Sequence, residues 1–427
     1  NIDRLAEMGL LTQSSVINCN KFKNAVDYDT VRQFKEPFFQ RAFKAFRKNY
    51  KKWKEEFEQF KREAFWLNNW TVYELFRNLN DGKGWTEWEL DYQVWPEKQG
   101  INLRPYVEEV FYIQFLQFIF YKQLDEITAY ARKKGLRLMQ DVPFYVNMNS
   151  MEVWSHKREF MVQPDGRPIQ LAGCPPDHYH EHGQVWDKPM YNFDYIKEEQ
   201  YVNFRNRFIW TARNFDAMRI VHFKGFDFIW KVPEDRNPEH GAWSAGPGRP
   251  LLEMIKNDLP NVLFTAEDQG LMRPTLKEME KEFSIPVMDV LQYRMETKLL
   301  KKAAAPLSAV YTSFYDTPTI EQDYASFTNN RKIALRRFFK KREYEHRSFH
   351  DLVCHFAINS EAVLVLLAMQ DILGIKEQGR INDPENEDVP NWTWKLKDFK
   401  TFPDELQKVK GWLEAAGRIP AESAEEA

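Results

Sequence analysis

The stretch Asp216-Ala-Met-Arg-Ile-Val-His-Phe-Lys-Gly-Phe226 decides how this chain is read. Ala217 to His222 is a short apolar run interrupted by one arginine. It empties into a polar turn, His222-Phe-Lys-Gly, ahead of further helix-forming sequence. Such a run predicts a buried strand whose end carries Arg219, Val221 and His222. The same grammar recurs along the chain. Leu136 to Val142 leads into DVPFYV, Val262 to Ala266 into EDQG, Ala309 to Thr312 into SFYDT, and Ala362 to Met369 into QDILG. Val287 to Tyr293 follows a helix across Ile285-Pro286. Buried strands alternating with helices predict a parallel sheet. Chemically rich residues at the C-terminal strand ends predict an α/β fold of the (β/α)8 barrel type, whose active face lies there.

Upstream of Gly135 the pattern is helical. Glu36 to Phe65 carries Phe38, Phe39, Phe43, Phe46, Trp53, Phe57 and Phe60, mostly three or four apart, which predicts an amphipathic packing helix. A second helix is expected from Tyr106 to Lys134, stopped by Gly135. The predicted organisation is a helical insertion over residues 1–134, a barrel with its cleft loops over 135–413, and a frayed acidic tail over 414–427.

Composition excludes several classes. A net charge of −3, from 60 Lys and Arg against 63 Asp and Glu, argues against a nucleic-acid partner. The most apolar stretch, Val110 to Tyr121, is broken by Gln114 and Gln117 and is too short to span a bilayer, so no membrane partner is expected. Cys19, Cys174 and Cys354 are few and far apart, which fits a reducing, cytoplasmic setting. Aromatic residues make up 15% of the chain, enough to line a sugar cleft as well as a core.

Glu267, after Val262 to Ala266, and Asp316, in SFYDT, each fall at a predicted barrel mouth. Two carboxylates aimed at one site are the equipment of glycosidic-bond chemistry, in which one protonates the leaving oxygen and another meets the anomeric carbon. His178-Tyr-His-Glu-His182 has the spacing of a metal-binding run. No metal is expected in that loop, and no cofactor is implied.

From about Gly135 to Leu396 the chain resembles glycoside hydrolase family 77, the amylomaltases or 4-α-glucanotransferases. DVPFYV, VWSHKREF, PDGRP, AGCPPD, GQVWDKPMYNFD, RIVHFKGF, GPG, TAEDQG, VLQY and GRIN…NWTWKL fall in family order. The resemblance implies a (β/α)8 barrel with helical insertions and transfer of α-1,4-glucan segments through a covalent glucosyl-enzyme. The expected partner is an α-1,4-glucan or maltooligosaccharide. By motif, Glu267 is the acid/base, Asp316 the transition-state aspartate, Arg219 the holder of the nucleophile, and His222 a ligand for a sugar hydroxyl. Asp141, Asp177, Gln184, Trp186 and Tyr191 match substrate-binding positions. The N-terminal NIDRLAEMGLLTQ aligns with the helix after the family's Ser-Pro-Tyr-Gln loop, so two family strands lie before the point where this sequence begins.

The departures matter as much. The family reads R-I-D-H-F-R-G-F where this chain has R-I-V-H-F-K-G-F, so Val221 occupies the nucleophile position. A valine has no lone pair with which to form the covalent intermediate. Asp216, five residues upstream, and Asp227, in the following loop, are the neighbouring acids. Phe314 and Tyr315 replace a threonine and a histidine, Asp187 a glycine, and Gln140 the glycine before Asp141. The sequence therefore implies a glucanotransferase relative whose activity is lost or strongly reduced. Its alternatives are an enzyme using another nucleophile, or a non-catalytic glucan-binding or protein-interaction scaffold. The oligomeric state stays open.

Overall fold

The computed structural model describes residues 1–13, 25–176, 181–268, 273–296, 300, 304–344, 348–376, 379–384, 386 and 389–419. The chain forms two compact units, Asn1–Val16 with Lys35–Phe283, and Ile17–Phe34 with Ser284–Ala427.

The first unit opens with helices. They are α1 (Ile2–Glu7), α2 (Tyr28–Lys48, whose first residues belong to the second unit), α3 (Tyr50–Glu63), α4 (Leu67–Leu79), the short α5 (Leu90–Gln93) and α6 (Trp95–Lys98), and α7 (Val107–Lys133). Residues 36–65 make two helices, not one. Asn49 leaves helical geometry at φ −106°, ψ 25°, and the apolar spacing on either side hides the break. The predicted stripe is nonetheless the buried one. Phe43, Phe46, Trp53, Phe57 and Phe60 pack with Phe115 and Phe118 of α7 into one core. Phe46 is fully buried, its ring 4.9–6.2 Å from six other aromatic rings. Truncating such a side chain removes its burial and leaves a cavity. Phe46→Ala is expected to cost about 3–5 kcal/mol, read as a lower denaturant midpoint with an unchanged slope.

After α7, Gly135 turns the chain at φ +72° and leads to the strands. The first unit holds β1 (Met139–Pro143), β2 (Gln170–Cys174), β3 (Gln184–Pro189), β4 (Ala217–Val221), β5 (Phe228–Pro233), β6 (Ala242–Ala245) and β7 (Leu263–Ala266). Its further helices are α8 (Met151–Ser155), α9 (Phe193–Glu198), α10 (Val202–Ala212), α11 (Gly248–Asp258) and α12 (Pro274–Glu282). Strands β1, β4 and β7 run parallel in that order, with Asp141 opposite Arg219, Pro143 opposite Val221 and Ile220 opposite Ala266. Strands β3, β2, β5 and β6 form a separate antiparallel sheet in that order. That second sheet was not expected from sequence.

The second unit holds β8 (Val287–Val290), β9 (Ser308–Tyr311) and β10 (Leu364–Leu366), parallel in that order. Around them lie α13 (Leu291–Glu296), α14 (Ile320–Ser326), α15 (Asn329–Lys340), α16 (Phe349–Ile358), α17 (Met369–Ile372) and α18 (Phe402–Ala415). The run Val287 to Tyr293, read as one strand, leaves the sheet after Val290 and becomes α13, because the apolar pattern does not change where the backbone does. Leu291 and Val310 join Phe339, Phe349, Leu352 and Val353 in this unit's core. Among the described residues, no helix is long and apolar enough to cross a membrane.

Candidate active site

The parallel register of β1, β4 and β7 sorts the first unit's site residues into two rungs. In parallel strands, paired residues point to the same face and alternate residues share it. Asp141, Arg219 and Thr265 form the lower rung. Pro143 and Val221 form the next, and Glu267 follows directly after Ala266 beside Val221. Two backbone bonds fix that juxtaposition. Glu267 N–H donates to the Ile220 carbonyl at 3.1 Å, and Phe223 N–H donates to the Glu267 carbonyl at 2.9 Å. Glu267 and Val221 therefore stand on neighbouring strands. The strand spacing of about 4.8 Å is of the order of the about 5–5.5 Å between the carboxyls of a retaining pair. The face offered at 221 is an isopropyl group.

Arg219 is buried and donates through Nη2 to the Asp141 carboxylate, its partner in register. A buried guanidinium needs a counter-charge. With valine at 221, Asp141 supplies one from the same rung.

His222 ends β4 in the left-handed region, at φ 56° and ψ 43°. Its ring meets Trp186 at 5.2 Å and Tyr145 at 5.7 Å, both edge-on, and those two rings lie 5.8 Å apart. Trp186 Nε1 donates to Gln184 Oε1 at 3.0 Å. Gln184, Trp186 and His222 are thus brought together. Burial, followed by the nearby Lys224 and Lys188 charges, lowers the His222 pKa to about 4. The imidazole is neutral above that pH and can donate to or accept from a hydroxyl. Between pH 6.5 and 4 the unfolded chain binds a proton that the folded one refuses, so stability falls as pH drops through this window. His222→Gln is expected to flatten that fall, measured as melting temperature against pH.

Tyr145 was not singled out from sequence. It lies just beyond a strand end, inside DVPFYV, and that position was the available signal. Lys188, also missed, donates to Asn147 Oδ1, and burial lowers its pKa. Gly225 shows why FKGF must pass close to this loop. A Cβ there would sit 2.8 Å from the Phe144 ring.

Other predicted positions lie elsewhere. Tyr191 is 5% exposed, donates to the Phe144 carbonyl at 2.6 Å and packs against Phe160 and Phe204, apart from the His222 cluster. Asp187 adopts φ +50°, which accounts for a glycine at this place in the family, and pairs with Arg236 at 2.5 Å. Asp177 and His178 to His180 lie outside the described residues. His182 pairs with Glu239 at 2.8 Å. Asp216 pairs with Arg132 and accepts from Leu138 N–H, both at 3.0 Å, at the opposite end of β4. Asp227 accepts from Thr275 at 2.7 Å.

In the second unit, Asp316 follows β9. Asn382 Nδ2 donates to its carboxylate at 2.6 Å, and Arg380 donates to its carbonyl at 2.8 Å. Both partners come from the GRIN segment. Tyr315 lies between Phe314 at 3.8 Å and Trp392 at 5.2 Å, its ring tilted to both. The two residues that depart from the family pattern here pack ring against ring, where the family has a threonine and a histidine.

The 4-alpha-glucanotransferase of Synechocystis sp. is 29% identical over 426 residues, covering 97% of this chain and 82% of the relative. That of Thermus thermophilus is 29% identical over 407 residues, covering 92% and 81%. The amylomaltase from Streptococcus agalactiae in complex with acarbose superposes with a TM-score of 0.90 at 23% identity, covering 98% of this chain and 86% of that one. The fold is the TIM-barrel-like α/β fold of the amylomaltases. The family model described as 4-alpha-glucanotransferase matches residues 2–401. The chain belongs to the 4-alpha-glucanotransferase family, glycoside hydrolase family 77.

Proposed function

We propose that this protein binds α-1,4-glucan or maltooligosaccharide in the family's cleft but does not form the covalent glucosyl-enzyme. The observation that carries this reading is the upper rung, where Val221 stands beside Glu267. Retaining transfer requires a carboxylate to attack the anomeric carbon while the acid protonates the leaving oxygen. Glu267 can serve as that acid. The nucleophilic half is missing. Asp216 and Asp227 are poor substitutes, since each is hydrogen-bonded away from the rung. Neutral His222, with Trp186, Tyr145 and Gln184, offers one polar edge and two aromatic rings, the surface on which a hexose packs.

In this reading residues 1–134 are the family's helical insertion, 135–413 the barrel with its cleft loops, and 414–427 a tail. The protein binds its glucan or maltooligosaccharide in the cytoplasm. Calorimetry with maltoheptaose tests the binding claim. Saturable heat that Trp186→Ala weakens at least about tenfold is expected. No binding heat would instead favour an interaction scaffold.

A further inference from the structure

The first unit contains a second cavity, of about 550 Å³, built by helices α4, α7, α8 and α10. It uses none of the residues assigned above to acid/base or cleft roles. Its volume is within the range of about 300–1,000 Å³ usual for small-molecule sites. One side is an aromatic corner. Trp210 meets Trp66 at 5.7 Å and Tyr121 at 5.2 Å, both steeply inclined, and its Nε1 is fixed on the Tyr121 hydroxyl at 2.8 Å. Trp70 adds a further ring one helical turn after Trp66.

The other side is polar in an unusual way. Asn69, Gln117 and Asn206 are half-buried, come from three different helices and line the cavity. Among the described residues, none of these three amides makes a side-chain hydrogen bond. The indole N–H groups of Trp66 and Trp70 are likewise buried and unpaired. Buried polar groups are normally satisfied, and each orphan costs about 1–3 kcal/mol. Two buried indole N–H groups without a partner, on residues that line one cavity beside three solvent-open amides, mark a site that a ligand completes.

Electrostatics narrows the ligand. Glu152 and Glu159 also line the space and disfavour an anion. The one arginine there, Arg207, is committed: it donates to the Pro143 carbonyl at 3.0 Å and lies over the Phe204 ring. Planar amides and carboxylates suit vicinal hydroxyls, and inclined aromatic faces suit sugar C–H groups. We infer that this cavity is a second, non-catalytic binding site for a short neutral saccharide, held by Trp70, Trp210, Asn69 and Asn206. Choosing a glucan as that saccharide rests on the function proposed above; the cavity's preference for a neutral polyol does not.

The test is titration of the full chain with maltotriose, by calorimetry and by crystal soaking. Two classes of site are expected in the unaltered protein. Trp70→Ala and Asn206→Leu each weaken one class at least about tenfold and leave the other unchanged, whereas Trp186→Ala does the reverse. Asn206→Leu conserves size and removes only the amide, so an unchanged melting temperature separates lost binding from lost folding. If both cavity variants bind maltotriose like the unaltered protein, or the soaked cavity holds water alone, the inference is wrong. If only Trp186→Ala is without effect, the cleft reading fails and this one stands.

Discussion

Val221→Asp raises the rate of glucose release from maltotriose by at least about 10³, on a scale set by the roughly 10⁶ lost when a serine protease loses its nucleophile. The register is already in place. Residue 221 shares a strand face with Arg219 and stands next to Glu267 across the β4–β7 ladder. A carboxylate there would project beside a buried guanidinium, and a close opposite charge keeps an acid ionised and therefore nucleophilic. Arg219 now pairs with Asp141, and a fork of five donors can serve two carboxylates at once. The gain is therefore expected without a rearrangement of β1 or β4. A rate that does not move would mean that the chain has lost more of the family's machinery than residue 221 alone.

In that same background, Glu267→Gln removes most of what Val221→Asp restores, by about 10²–10⁴. The substituted amide keeps the shape of the side chain and the backbone bonds to Ile220 and Phe223, but it has no acidic proton to give. The natural control is the leaving group. A donor bearing a good leaving group, such as a nitrophenyl maltoside, needs little protonation. Its first step should be much less impaired than that of maltotriose. Equal impairment on both donors would assign Glu267 a structural role instead.

The ends of β4 and β7 were legible because a parallel strand is a short apolar run, and both stop at polar residues. Glu267 and Asp316 were read from strand ends, and Arg219 and His222 from the family resemblance; the structure places Arg219 within β4, His222 just after it and Glu267 just after β7. The antiparallel sheet was not legible. Its strands Gln170–Cys174 and Gln184–Pro189 are short and contain glycine and lysine, so they read as loop. Only pairing, of β2 with β5 and of β3 with β2, makes them strands. The break at Asn49 was invisible for the opposite reason, since the aromatic spacing runs through it. Tyr145 belongs to the site through contacts with Trp186 and His222, partners distant in sequence, and no local pattern reports such contacts. Tyr191 shows the converse: a motif position whose hydroxyl and ring are both taken up by packing.

The amide-lined cavity has a similar lesson. Asn69, Gln117 and Asn206 look like ordinary polar faces on three helices. Only the fold shows that they converge on one space.

The central claim is that valine at position 221 blocks the covalent step while the cleft still holds glucan. The most direct measurement is glucose release from maltotriose by the unaltered chain, at a substrate concentration shown by calorimetry to saturate the cleft. Binding without release above the enzyme-free blank is expected. Release at the rate of its family relatives, from a chain with Val221 intact, would contradict it.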